Sequence, residues 1–270
     1  SAGGNITLTY AVATPDLIWN GGTGNWNDTY TANLTGFTPA KPTTDKNLVF
    51  TGSGGTVTNN IVSGNLSSLN YITFNSTAGS YTLAASAGSA GASGGTALTV
   101  RGDIVNNSAN AQTIAMNLAL GLSSTGLIST AAGNITISGV ISGSGALNKS
   151  GNSTLILTGA NTYTGVTTIS AGTITVSGAG QLGAGSYSGS ISNSGNFIYA
   201  SSANQTLSGI ISGAGAPTQN ASGTLVLSGA NTYSGATTIN TGTLALNNAT
   251  AIGTGTLTIK GGALDNTSGS

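Results

Sequence analysis

The sequence has no cysteine and no histidine, and only 4% of its 270 residues are charged. Every acidic residue is an aspartate: Asp16, Asp28, Asp45, Asp103 and Asp265. Without histidine the chain can assemble neither a Ser-His-Asp triad nor a histidine metal cluster, and without cysteine it has no disulfide framework. We therefore predict that the chain is not an enzyme and has no catalytic, cofactor-binding or metal-binding residues. A carboxylate pair from Asp16, Asp28 and Asp45, as in a carbohydrate-active β-helix enzyme, is the alternative, although capping loops are the favoured place for these residues.

Positive charge is as scarce as negative charge. The basic residues are Arg101, Lys41, Lys46, Lys149 and Lys260, and the net charge is zero. Because no basic stripe can release counterions from a phosphate backbone, nucleic acid is not a predicted partner. The longest apolar runs, such as Ile114 to Leu122, are far shorter than the roughly 20 residues that span a bilayer. The segment is therefore not expected to lie in a membrane. No signal peptide is visible, and the small, polar opening "SAGG" is typical either of a mature terminus after cleavage or of an artificial boundary of the expressed segment.

Glycine and short alternating apolar runs are what the chain has in abundance. There are 44 glycines, yet 38% of the sequence is hydrophobic, which argues against a disordered chain. Apolar and polar residues alternate at period two in runs such as "NITLTYAV", "YITFN" and "TLTIKG", and each run is followed closely by Gly, Asn or Ser. No window combines the 3.6-residue period of a helix with a charged outer face. The sequence predicts an all-β protein.

A long internal repeat selects among the all-β folds. The stretch "TLILTGANTYTGVTTISAGTITV" from Thr154 to Val176 recurs further along the chain as "TLVLSGANTYSGATTINTGTLAL", from Thr224 to Leu246. Shorter strand-and-turn units recur about every 20 to 25 residues, the size of one solenoid coil. A sandwich has no reason to repeat at a fixed long offset, whereas in stacked coils a change of coil length breaks every ladder above it. We predict a parallel β-helix in which the 70-residue super-repeat is a whole number of coils, three in the simplest case.

The repeat also predicts the position of individual side chains. Alternation places these residues inside: Leu155, Leu157, Ile174, Val176, Leu225, Leu227, Leu244 and Leu246. Ile156 and Val226 then point outward. Turns with positive φ are expected at Gly159, Gly165, Gly172, Gly229, Gly235 and Gly242. Asn161 and Asn231 are expected to bond neighbouring backbone or to stack as an amide ladder, and Tyr163 and Tyr233 to pack over turn glycines.

The pattern "GTLVLSGANTYSGATTINTGTLAL", preceded by "ISGAGA", resembles the passenger-associated transport repeat of Gram-negative secreted and surface proteins. It matches strongly twice, at 139–177 and 209–247, and upstream stretches such as "WNGGTGNWND" from Trp19 also look like these passengers. The resemblance implies a right-handed parallel β-helix exported through the outer membrane, usually by a C-terminal β-barrel translocator. Because no such barrel follows here, we expect a passenger portion, a fragment, or a protein exported another way.

Three shorter motifs suggest ligands, and each has a simpler structural interpretation. "RGD" at Arg101 to Asp103 is a motif read by integrins, but it falls in a predicted strand–turn–strand segment where an incidental ion pair is favoured. Trp19 and Trp26 could stack on sugars, but a plug at the N-terminal end of the solenoid is favoured. Outward "TxT" elements, at Thr56 and Thr173, are typical of ice-binding solenoids. Because they do not line up at one position in every coil by sequence spacing, ice binding is the less favoured alternative.

The expected organisation is an N-terminal strand and capping or entry region at 1–50, followed by a β-solenoid at 51–270. A Gly, Ala and Ser loop from Ala84 to Gly95 is expected to bulge from one coil. The C-terminal run after Thr256 looks like an open end, and the strand before Pro15 could add to a neighbour. We therefore expect head-to-tail self-association into filaments, set against one long chain whose next coil follows Ser270.

These features favour an extracellular structural protein: a rigid stalk or fibre module of a Gram-negative bacterial surface or secreted protein, with adhesion as its wider role. An integrin-directed adhesin acting through Arg101 and Asp103 is a further alternative. The sequence does not name a surface or carbohydrate ligand.

Overall fold

The structure, a computed structural model, describes residues 16–26, 37–38, 45–59, 67–121 and 126–266. In these ranges it contains no α-helix, and one 3₁₀ turn lies at Gly183–Gly185. The strands, in chain order, are β1 (Asp16–Trp19), β2 (Gly24–Asn25), β3 (Phe37–Thr38), β4 (Lys46–Phe50), β5 (Gly55–Asn59), β6 (Ser68–Phe74), β7 (Tyr81–Ala85), β8 (Leu98–Val100), β9 (Ile104–Asn106), β10 (Gln112–Ile114), β11 (Leu118–Leu120), β12 (Leu127–Thr130), β13 (Ile135–Ile137), β14 (Ile141–Ser142), β15 (Leu147–Ser150), β16 (Thr154–Leu157), β17 (Thr167–Ile169), β18 (Thr173–Gly178), β19 (Ser186–Tyr187), β20 (Ile191–Asn193), β21 (Asn196–Ser201), β22 (Gln205–Leu207), β23 (Ile211–Ser212), β24 (Pro217–Leu227), β25 (Thr237–Leu246), β26 (Leu257–Ile259) and β27 (Ala263–Asn266).

The strands stack in parallel as a solenoid, as predicted, and they form three faces. Face 1 consists of β2, β5, β7, β10, β13, β16, β18, β21, the starts of β24 and β25, and β26. Face 2 consists of the start of β6, β8, β11, β14, β19, β22, the ends of β24 and β25, and β27. Face 3 consists of β1, β4, the end of β6, β9, β12, β15, β17, β20 and β23. Only β3, which pairs with β1, is antiparallel in the described part of the chain.

The number of paired strands on face 1 gives the height of the stack. Ten successive strands, from β5 to β26, are paired along it. At about 4.8 Å between neighbouring strands, the nine intervals span roughly 43 Å. Successive coils differ in length, since the coil from Leu157 to its partner Val176 is much shorter than the coil from Leu83 to its partner Ile114. The longer coil contains the predicted loop from Ala84 to Gly95, which does not simply bulge out, because its Ala90 and Ala92 are buried.

The core runs along the axis, inside the three faces. The predicted inward residues of the repeat, from Leu155 to Leu244, are buried, and Leu246 packs against the core half-exposed. Ile156 and Val226 lie half-exposed on the outside, as predicted. Each coil adds only a few aliphatic side chains of roughly 1.5–3 kcal/mol each, against a backbone ordering cost of about 1–2 kcal/mol per residue. A single coil is therefore unstable alone, and the fold depends on stacking.

The super-repeat is not a whole number of coils, so that prediction is wrong. On face 1, strand pairing stacks Ile174 on Leu155, Phe197 on Ile174 and Pro217 on Phe197. Pro217, at the start of β24, is therefore three coils above Leu155. The repeat equivalent of Leu155 is Leu225, which lies further along β24, past one corner. As a result, Leu155 is on face 1, between Ile135 and Ile174, whereas Leu225 is on face 2, between Gln205 and Leu244. The super-repeat is three coils plus one face.

The two copies nevertheless have the same local structure. The Ile141 N–H donates to Asn161 Oδ1 at 2.9 Å, and the Ile211 N–H donates to Asn231 Oδ1 at 2.8 Å. The hydroxyls of Tyr163 and Thr167 lie 2.8 Å apart, and those of Tyr233 and Thr237 lie 2.7 Å apart. Because these bonds are retained on different faces, the solenoid offers nearly equivalent sites for the repeat on more than one face.

Glycine is needed at the repeated positions for two different reasons. Gly172 and Gly242 have φ of 69° and 72°, as predicted for turns. Gly159, Gly165, Gly229 and Gly235 do not have positive φ, so the prediction is wrong for them. They are needed for close approach instead: a Cβ on Gly159 would lie 2.5 Å from the carbonyl oxygen of Gly139 in the coil below.

Candidate functional site

The outer surface of face 1 carries a column of threonine. Strand pairing places the following residues one above another: Thr56, Thr82, Thr113, Thr136, Ile156, Thr175, Ile198, Thr218, Thr238 and Thr258. We call these ten positions the threonine column. Thr56 and Thr175 belong to the "TVT" and "TIT" elements, but one contributes its first threonine and the other its second, and Ile156 and Ile198 interrupt the column. The elements therefore do not line up at one position in every coil, as predicted, although single threonines do stack. Sequence spacing alone missed the column because coil lengths vary along the chain.

The surface around the threonine column is small, polar and uncharged. No strand of face 1 from β5 to β26 contains a charged residue. Neighbouring outward positions hold paired residues such as Thr154 and Thr173, and Ser177 and Ala200. In the described part of the chain, the hydroxyls of the column threonines have no protein hydrogen-bond partner. They are therefore free to bond water or a ligand.

The other two faces do not share this pattern. In the first coils the outward column of face 3 runs through Ile18, Val49, Thr73, Val105 and Ser129. In the later coils the outward residues of this face are Asn148, Thr168, Ser192 and Ser212, with threonine at one position of four. On face 2 the corresponding positions are Thr206, Val226, Ala245 and Asp265. Threonine suits any exposed strand position, but here it is concentrated on one face of three.

The RGD segment forms part of a structural turn, with its arginine in an ion pair. Arg101 Nε lies 3.0 Å from Asp45 Oδ1, and both side chains are about half-exposed, at 53% and 42%. Ser68 Oγ also donates to Asp45 Oδ1, at 2.7 Å. Asp103 is not the partner of Arg101 in this pair. The ion pair favours the structural interpretation of the motif, since Arg101 is already engaged within the chain.

The tryptophans are buried in the first described coil. Trp19 is 0% and Trp26 1% exposed, and Trp19 Nε1 donates to the Gly22 carbonyl at 3.1 Å. Neither ring can stack on a sugar from this position. Of the aspartates considered for a carboxylate pair, Asp28 lies outside the described residues, and the described residues include only the backbone of Asp16.

Lys149 is a buried cation on face 3 that the sequence did not single out. Its Nζ donates to the carbonyl oxygens of Ser150, Gly151 and Ala171, at 2.7, 2.6 and 3.1 Å. These three bonds use all three protons of the ammonium group. Burial lowers the pKa of Lys149 from its usual 10.5 to about 8, and in the described part of the chain no carboxylate pairs with it. The bonds run to its own coil and the next one, so the group acts in the structure rather than in chemistry.

Asn161 and Asn231 are buried corner residues that join successive coils. Besides accepting from Ile141, Asn161 donates through Nδ2 to the carbonyls of Gly159, at 2.9 Å, and Gln181, at 3.0 Å. They bond neighbouring backbone, which was one of the two predicted alternatives. Since they lie on different faces, they do not form a ladder with each other.

The described residues contain no group of three or more His, Cys, Asp or Glu side chains that could hold a metal ion. Across the same ranges, no helix has the length and hydrophobicity needed to cross a membrane.

The comparisons with known proteins match the repeat stretches and part of one large adhesin. The family model for the passenger-associated transport repeat matches residues 147–176 and 218–246. The adhesin BmaC autotransporter of Brucella suis biovar 1 (strain 1330) is 35% identical over 154 residues, which covers 44% of this chain and 4% of the adhesin. The alignment thus spans a small fraction of that relative. No solved structure matches the chain. Both stretches that the family model matches lie in the stacked coils, so the chain is a β-solenoid that carries two passenger-associated transport repeats and is similar to part of an autotransporter adhesin.

Proposed function

We propose that this chain is a non-enzymatic extracellular module, a rigid stalk in a surface-exposed or secreted protein of a Gram-negative bacterium, with adhesion as its wider role. The observation that carries the proposal is the unbroken parallel pairing along face 1 from β5 to β26. Each coil is hydrogen-bonded to the coils on either side of it, so bending would break ladders on at least one face. Such a rigid stack holds whatever is attached to its two ends at a fixed separation.

The chemistry of the described residues supports a structural role. The largest buried polar groups, including Lys149, Asn161 and Gln219, are hydrogen-bonded to backbone carbonyls of the coil corners. They hold the corners together and are not exposed to a substrate. The related Brucella protein is named an adhesin, which supports the adhesive part of the proposal. The same protein is named an autotransporter, which supports an extracellular location.

Duplication of one super-repeat tests the stalk proposal. A second copy of residues 154–223 placed after residue 223 adds three coils and one face, because the new junction joins Gly223 to Thr154, the equivalent of the Thr224 that normally follows. We expect small-angle scattering to give a rod that is about 16 Å longer at about 4.8 Å per coil, with an unchanged cross-section. A thicker particle of the same length would contradict a stalk.

Filament formation through the solenoid ends is a separate proposal. The last described coil exposes Ile259 at 51% and Leu264 at 39%, which leaves apolar surface for a further coil or a neighbouring chain. The N-terminal strand proposed to add there lies outside the described residues. Light scattering at high concentration, with and without residues 1–14, separates the alternatives: only self-association through that strand gives large particles that the truncation abolishes.

A further inference from the structure

We propose that the outer surface of face 1 binds ice, through the threonine column. This goes beyond the stalk function, because it assigns a ligand, the ordered surface of solid water, to one particular side of the solenoid. A stalk without this property would remain a stalk.

The geometry of the face is a two-dimensional lattice. Neighbouring strands place equivalent residues about 4.8 Å apart along the axis, and alternate residues of one strand lie about 6.6 Å apart across it. Both repeats are near oxygen–oxygen repeats in the ice lattice. In two strands threonine also occupies an alternate position, at Thr58 on one side of the column and at Thr173 on the other. Each threonine offers a methyl group and a hydroxyl, which together hold water in an ordered layer.

The threonine column is not a by-product of the sequence repeat. Because the super-repeat advances by one face, the motif places equivalent residues on different faces. Thr238 lies in the column, whereas its equivalent Thr168 lies on face 3, between Asn148 and Ser192. Likewise Thr175 lies in the column and its equivalent Ala245 on face 2. Residues from unequivalent positions of the repeat therefore converge on threonine only along face 1.

The chemistry of face 1 favours ice over a polysaccharide. Sugar rings are bound by stacking on exposed aromatic rings and by charged or amide groups. The aromatic residues of the face 1 strands, Tyr81, Phe197 and Tyr199, are buried in the core. The face 1 strands from β5 to β26 contain no charged residue that would hold disordered water, and Lys260 follows the last of them. Among the described residues, the column presents eight threonine hydroxyls without protein partners, interrupted by Ile156 and Ile198.

The equivalent pair Thr238 and Thr168 provides a matched test with the whole chain. We expect the intact chain to give thermal hysteresis and to shape growing ice crystals. Thr238→Lys places a charged side chain in the threonine column, so we expect it to lose most of the hysteresis. Thr168→Lys changes the same motif position on face 3 and should leave the hysteresis unchanged. Melting curves followed by circular dichroism establish that both variants are folded.

A gain-of-function variant tests the two gaps in the column. Ile156→Thr combined with Ile198→Thr completes the ten positions, and we expect a larger hysteresis than that of the intact chain. Normal ice growth in the presence of the intact chain and of this completed variant would overturn the proposal. Equal loss in Thr238→Lys and Thr168→Lys would also overturn it, since the activity would then not belong to face 1.

Discussion

At the residue scale, Lys149 illustrates how a nearly uncharged chain uses one of its few charges. The ammonium group closes a corner by bonding three carbonyl oxygens, a task that Gln219 performs at the equivalent position of the second copy, where its Nε2 donates to the carbonyls of Ala221 and Gly223. An amide does this without the cost of burying a charge. The difference between the two copies therefore predicts a pH effect.

Lys149 should make stability rise with pH in the weakly alkaline range. Burial lowers its pKa to about 8 in the folded chain, from 10.5. Below the folded value both states hold the proton. Between the two values the unfolded state keeps the proton and the folded state releases it, so the free energy of unfolding increases with pH. We expect an increase on the order of 1–2 kcal/mol between about pH 7 and 9.5 that Lys149→Gln lacks.

Denaturant titration of both proteins at several pH values measures this effect. Taking the difference between the intact chain and Lys149→Gln removes the contribution of tyrosines, such as Tyr163, whose pKa is raised by burial. Parallel pH profiles for the two proteins would show that Lys149 does not titrate in this range.

At the scale of the strand and corner, glycine sets how closely coils can stack. Gly159, Gly189 and Gly235 each place their Cα so near the coil below that a Cβ would meet a backbone oxygen at 2.5–2.6 Å. Backbone atoms in a paired coil cannot move aside individually, because each is fixed by the ladders on both sides. Corner glycines are therefore required by packing even where φ is ordinary.

Two glycine substitutions separate close packing from loss of chain flexibility. Gly159→Ala puts a methyl group 2.5 Å from the Gly139 oxygen, and we expect it to lower the free energy of unfolding by about 1–3 kcal/mol. The control is Gly121→Ala, whose Cβ would lie 3.4 Å from Thr99 Cγ2 and which we expect to be neutral or slightly stabilising. Thermal unfolding of both variants gives the comparison, and equal midpoints would contradict the packing argument.

At the scale of the whole molecule, the structure is a stack whose sequence repeat winds around it. The inward positions of the repeat were predictable because apolar and polar residues alternate at period two, and alternate residues of a strand lie on the same face. The parallel stacking was predictable because only stacked coils require a fixed offset. These features depend on residues that are near in sequence.

The rotation of the repeat and the threonine column were not predictable in this way. Both depend on coil lengths, which vary from the short coil between Leu157 and Val176 to the long one between Leu83 and Ile114. An offset of this length can be made up of three long coils, or of three shorter coils and one additional face. The strand pattern alone does not distinguish these two arrangements. Likewise, Thr56 and Thr258 belong to one column only when every intervening coil is counted correctly.

Register between stacked coils holds the solenoid together, and thermal unfolding of two deletion variants measures how much stability depends on it. Removing residues 154–223 joins Ser153 to Thr224, which then stacks on the coil below as its equivalent Thr154 did. Removing residues 154–218 joins Ser153 to Gln219 and puts the first strands after the junction out of register with the coil below it. We expect the first deletion to melt cooperatively within a few degrees of the intact chain, and the second to melt far lower or without cooperativity. Equal melting of the two deletions would contradict a solenoid held together by coil register.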